Sequence, residues 1–244
     1  MRSGIVLAGM MVALAGCSGE DGGNLAVVAN DATALGNDVA EASSALLAPP
    51  ADPACAAQVG VAATVCADPM LARMDKEVAR LFGLVRAAQE PAPDMVPALD
   101  QAQRTWTIER DRCGTGAAAK PCLVASYAAR IDELRSNYPA ARAVPASPDE
   151  RPSSVGPLAV RCKGLDEPIH ALFINVDPDL VRLRWDQEVL ILKQAPAASG
   201  VRYEGEGPAS AYVFWTKGES ATFSRPDKRD LECVLEPERE GSAS

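Results

Sequence analysis

The chain has 244 residues, 48% of them hydrophobic, which is enough for one or two domains each with its own core. Its formal net charge is −9, and no lysine or arginine stands between Arg2 and Arg73, so nucleic acid and anionic membrane surfaces are disfavoured as partners. No serine, threonine or cysteine has a histidine-based activating pattern around it, so nucleophilic catalysis lacks its parts and the chain reads as a non-enzyme without cofactors.

Residues 1–16, "MRSGIVLAGMMVALAG", place one positive charge before an apolar run that is short for a membrane span and of the length of a signal-peptide core. The run ends in Leu14-Ala15-Gly16-Cys17, which resembles a bacterial lipobox and implies that Cys17 is lipidated as the first residue of the mature protein. Ser18, by resemblance to enterobacterial lipoproteins, favours the outer membrane, with the protein on its periplasmic face. Residues 17–53 then read as an acidic flexible tether, carrying Glu20, Asp21, Asp31, Asp38, Glu41 and Asp52 and few large apolar side chains.

From 54 to 138 the period is helical. Asp68 stands as an N-cap with Pro69 at the first helical position, and Leu71, Met74, Val78, Leu81 and Val85 follow at spacings of three and four. Leu99, Ala102, Trp106 and Cys113 repeat the pattern, as do Leu123, Tyr127, Ile131, Leu134 and Tyr138. Three amphipathic helices with short polar turns predict an up-and-down bundle, too small to be stable on its core alone.

Residues 139–157 are proline-rich without apolar periodicity and read as a linker. From 158 to 236 the period changes to two: His170, Leu172, Ile174 and Val176 alternate with Ala171, Phe173 and Asn175, and further strand candidates follow in "EVLILKQ", "GVRYE", "AYVFWTK", "SATF" and "LECVL". So many short strands predict a small antiparallel β-barrel, which removes exposed edges by closing on itself. His170 reads as a barrel-end side chain with a satisfied hydrogen bond, and residues 237–244 as a tail.

With Cys17 lipidated, six cysteines remain, which in an exported chain read as three disulfides. Cys162 and Cys233 staple the ends of the barrel, whose long loop contributes roughly 4 kcal/mol in the chain-entropy model. In the bundle, Cys55 with Cys66 and Cys113 with Cys122 is the simpler pairing, but antiparallel helices also bring Cys66 near Cys113, leaving the connectivity open. None of the spacings is Cys-x2-Cys, which argues against a metal site.

The helical part resembles the LprI-type lysozyme-inhibitor family in Cys55 and Cys66, in Leu71 and Asp75 of "CADPMLARMD", in Gln103, Trp106, Arg110 and Cys113 of "QRTWTIERDRC", and in Tyr127, Arg130 and Leu134. The barrel resembles the MliC family of periplasmic inhibitors of C-type lysozyme in Cys162 and Cys233, in Ser199-Gly200-x-x-Tyr203, and in Phe214-Trp215-x-Lys217-Gly218-x-x-Ala221. A hairpin centred near Gly207 and Pro208 sets Tyr203 opposite Tyr212 and Val201 opposite Phe214, and brings Ser199 opposite Thr216 or Lys217. Gly200 and Gly218 let the backbone there approach another surface.

Such a rim is rich in donors and suits a partner that presents carboxylates. The MliC resemblance implies that Ser199 and Lys217 enter the lysozyme cleft and bond its catalytic acids, with Gly200, Tyr203 and Gly218 completing the lysozyme-binding set. A structural or adaptor lipoprotein that binds envelope proteins or peptidoglycan is the alternative. Glu204 and Glu206 read as solvated loop charge rather than as a glycosidase pair.

Overall fold

The longest described helix, Pro69–Gln89, starts where the chain supplies its own cap. In the computed structural model, which describes residues 55–89, 95–143 and 151–236, the Asp68 carboxylate accepts hydrogen bonds from the amides of Met70 and Leu71 at 3.0 and 3.1 Å. Pro69 opens the helix behind it, as expected, because its missing N–H is one that a first turn leaves unbonded anyway. The expectations for the signal peptide, Cys17, the tether, the tail and the middle of the linker lie outside the described residues.

The helices are α1 (Gly60–Ala67), α2 (Pro69–Gln89), α3 (Met95–Asp111) and α4 (Lys120–Asn137). Leu71, Met74, Val78, Leu81 and Val85 of α2, Leu99 of α3, and Leu123, Tyr127, Ile131 and Leu134 of α4 are all buried, so the helical period reads the core face correctly. The short α1 was not anticipated: its run of Ala and Val has almost no amphipathic signal. Disulfides Cys55–Cys66 and Cys113–Cys122 close locally, which settles the connectivity in favour of the simpler pairing.

Eight antiparallel strands follow: β1 (Ser154–Cys162), β2 (Ile169–Ile174), β3 (Leu180–Trp185), β4 (Glu188–Ala195), β5 (Val201–Glu204), β6 (Val213–Lys217), β7 (Ser220–Ser224) and β8 (Leu231–Leu235). They form a closed barrel in which each pairs with the next and β8 pairs back to β1. Cys162 and Cys233 are directly opposed on β1 and β8 and are bonded to each other. Inside lie Ile169, Ala171, Val181, Leu183, Tyr203, Phe214 and Phe223.

The outer face of β2 and β3 is also buried. Leu172, Ile174, Val176 and Leu180 belong to the same apolar cluster as Leu71, Leu123 and Ile131 of the helices. Polar contacts lock the seam: Arg182 of β3 pairs with Asp132 of α4, and Arg184 Nε stands 3.5 Å from the same carboxylate. The Ser154 hydroxyl donates to Glu77 of α2, and Arg135 of α4 donates to the carbonyls of Gly156 and Ala141. The segment read as a linker takes part at both ends, through a 3-10 turn at Pro139–Arg142 whose Ala141 is buried and through the first residues of β1.

His170 differs from its reading. It is half-buried on the outer face of β2, across from Arg184, and makes no hydrogen bond among the described residues. Burial and the Arg184 charge, opposed by Asp132 and Glu167, hold its imidazole below its ordinary value.

Candidate functional site

The start of β5, the end of β6 and the start of β7 lie side by side at one end of the barrel. In β5 and β6 the register pairs Tyr203 with Phe214 and Val201 with Thr216. This is two residues away from the expected pairing, because the connection carries a 3-10 turn at Gly207–Ala209 and the Gly205 amide still bonds the Tyr212 carbonyl at 3.1 Å. A slip of two keeps every side chain on its face. Phe214 and Thr216 therefore point inward while Trp215 and Lys217 point out, with Trp215 41% exposed.

The ladder ends at Val201 and Thr216, and the next residue, Gly200, has φ +69°. A Cβ at Gly200 would lie 2.2 Å from the Thr216 carbonyl oxygen, so both the backbone angle and the space require glycine. This left-handed residue takes the chain out of the strand, and Ser199, which strict alternation would point into the barrel, is exposed. Its carbonyl accepts a hydrogen bond from the Trp215 indole at 2.8 Å.

At the other hairpin Lys217 pairs with Ser220 across the two-residue turn Gly218-Glu219. Gly218 has φ +61° while Glu219 keeps negative φ, the arrangement of a type II′ turn, whose twist matches that of the strands. Lys217 is exposed and forms no ion pair or hydrogen bond among the described residues. By contrast, Lys163, Lys193 and Arg202 pair with Glu232, Glu206 and Glu204 at 2.6, 2.7 and 2.6 Å.

Tyr203 is not part of that surface. It is 4% exposed inside the barrel beside Phe173, and burial, with the Asp179 charge adding, pushes its phenol up to about 12. The structure thus brings together Ser199, Gly200, Lys217 and Gly218 at one rim, with Tyr203 beneath them as core. No hydrogen bond joins the Ser199 hydroxyl to Lys217 among the described residues, so each can meet a separate partner group.

Comparison with known proteins gives these positions a context. Residues 160–232 match the family model of the membrane-bound lysozyme-inhibitor of c-type lysozyme, MliC, and residues 52–134 match that of the lysozyme inhibitor LprI. The chain carries an LprI-type region followed by an MliC-type region. Lipoprotein LprI of Mycobacterium bovis and of two strains of Mycobacterium tuberculosis are each 28% identical over 144 residues, 59% of this chain and 65% of theirs. The chain therefore spans just under two thirds of the length of these relatives. A crystal structure of Pseudomonas aeruginosa MliC in complex with hen egg white lysozyme matches 38% of this chain and 95% of that one, at 23% identity and a TM-score of 0.29.

In the LprI-type region, the residues that carry the resemblance cross-link the helices. The Tyr127 hydroxyl donates to Asp75 at 2.8 Å and accepts from Arg110 at 3.0 Å, joining α2, α3 and α4 through one phenol. Burial, then the Asp75 carboxylate, push that phenol above the usual range. The Arg110 guanidinium lies 5.3 Å from the Trp106 ring centre, and Arg130 donates twice to Gln103 at 3.0 and 2.9 Å. Gln103 through Arg130, and Trp106 through its indole N–H to the Ser126 carbonyl at 3.3 Å, thus tie α3 to α4 as well.

Proposed function

We propose that this chain is a non-catalytic, lipid-anchored inhibitor of C-type lysozyme, whose barrel rim enters the enzyme cleft and so protects peptidoglycan. The observation that carries the reading is Lys217. It is exposed with no partner among the described residues, on the strand whose Trp215 holds the carbonyl of the exposed Ser199, and the backbone there is shaped by Gly200 and Gly218. A glycosidase of this kind works with two carboxyl groups, one of them kept protonated. Lys217 suits the ionised carboxylate and the Ser199 hydroxyl suits the other group.

Both matched family models describe lysozyme inhibitors, and the MliC description is of a membrane-bound one. Together with the Cys17 motif, this supports an envelope lipoprotein tethered through Cys17, on the periplasmic face of the outer membrane. Glu204 and Glu206, the carboxylate pair that invites a catalytic reading, pair with Arg202 and Lys193 at the surface, in keeping with solvated charge.

The test is lysis of a cell-wall suspension by C-type lysozyme in the presence of residues 18–244, the Ser199→Ala and Lys217→Ala variants, and both together. Removing one member of a desolvated charge pair costs about 2–5 kcal/mol, so Lys217→Ala is expected to weaken inhibition by a factor of about 30 or more. No inhibition by the unmodified chain sinks the reading. Inhibition that survives the double variant undiminished overturns the assignment of the site to this rim, and inhibition by residues 54–138 alone would make the LprI-type region a second inhibitor.

A further inference from the structure

The loop that presents Ser199 has little of its own to hold it. The β4–β5 ladder ends at Ala195 and Arg202, and among the described residues no backbone hydrogen bond outside the strands involves residues 196–200. One side chain reaches it: the Trp215 indole N–H, at 2.8 Å from the Ser199 carbonyl. The same indole nitrogen lies 3.1 Å from where a Cβ of Gly200 would stand, so the ring sits directly against the turn. Trp215 and Lys217 are two apart on one strand and point to the same outer face. Strand β6 thus carries both Lys217 and the clamp on the Ser199 carbonyl. A tryptophan left 41% exposed on a solvent-side strand position gains less from burial than one in the core, so a hydrogen bond to a specific carbonyl is a stronger reason for its type.

We propose that Trp215 is the positioning residue of the rim, its indole N–H fixing the Ser199 backbone and hence where the Ser199 hydroxyl stands relative to Lys217. Its effect on lysozyme rests on the rim being the binding surface, whereas its effect on the loop does not.

The experiment uses residues 18–244 with Trp215→Phe, which keeps an aromatic ring and removes only the donor. Backbone order parameters at Ser199 and Gly200, measured without lysozyme, are expected to fall from the rigid range near ~0.85 towards ~0.6, with the urea midpoint nearly unchanged. Inhibition of C-type lysozyme is expected to weaken about three- to tenfold, the size of one hydrogen bond. Because Trp215 acts through Ser199, adding Trp215→Phe to Ser199→Ala is expected to cost nothing further. Unchanged order parameters overturn the proposal, and so do Trp215→Phe and Ser199→Ala losses that multiply. If the unmodified chain fails to inhibit lysozyme, the functional reading falls while the order parameters still decide whether the clamp exists.

Discussion

Gly200 is the residue on which the rim geometry turns. Its φ of +69° lies where a side chain is strained by about 1–3 kcal/mol, and a Cβ would also collide with the Thr216 carbonyl. Gly200→Ala is therefore expected either to lower stability in urea by that amount or to push the Ser199 loop off β6. On the proposed function, displacement of the loop is expected to weaken lysozyme inhibition, and a variant of unchanged stability and potency would show that the turn does not shape the rim. The left-handed backbone at Gly200 and Gly218 was legible in the sequence, because glycine is the residue that tolerates it. Tyr203 was not separable from them: it shares their motif, and only the inward direction of Val201 and Tyr203 on β5 reveals it as core.

Helix α2 shows how much an element owes to one residue outside it. Asp68 caps two amides of α2, and its other carboxylate oxygen takes Lys120 Nζ at 2.6 Å, which ties the start of α4 to the start of α2. Partial burial works against the Asp68 charge, but Lys120 and the two amides outweigh it and hold the carboxyl below its ordinary value of 3.8. Asp68→Ala is expected to cost about 1 kcal/mol in a urea titration at pH 7. The folded pKa is lowered, so the stabilisation is present above pH ~4 and is lost as pH falls through the folded value. A variant whose deficit persisted unchanged at pH 2 would contradict the assignment. Period and capping made α2, α3 and α4 readable. The β5–β6 register was not, because it depends on how many residues the loop absorbs in a 3-10 turn, and that is set by contacts rather than by composition.

The seam between the helices and the barrel was hidden for a different reason. Reading for period finds one face per strand, yet "IHALFI" of β2 places apolar residues on both, and an antiparallel strand apolar on both faces is one with a cover. That signal was present in Leu172 and Ile174, and the buried charges Glu77, Asp132 and Arg182 opposite them carry no apolar signal at all. The seam makes a specific demand on Asp132, which is 6% exposed and faces both Arg182 and Arg184. Burial lowers the Arg182 pKa from its ordinary value, with the Arg184 charge working in the same direction and Asp132 opposing it, so the carboxylate offsets both desolvation and like-charge repulsion. Asp132→Ala is expected to cost about 3–5 kcal/mol, because it leaves a buried guanidinium without its counter-charge. Asp132→Leu combined with Arg182→Met removes the charge and its partner together, and is expected to recover most of that loss. Both variants are read by urea unfolding of residues 18–244. Helices and a barrel joined by a shared apolar cluster at the seam should unfold in one transition, and weakening the seam should separate them into two. Two transitions in the unmodified chain, or an Asp132→Ala variant as stable as the parent, would mean that the helices and barrel fold independently and that the seam contributes little to either.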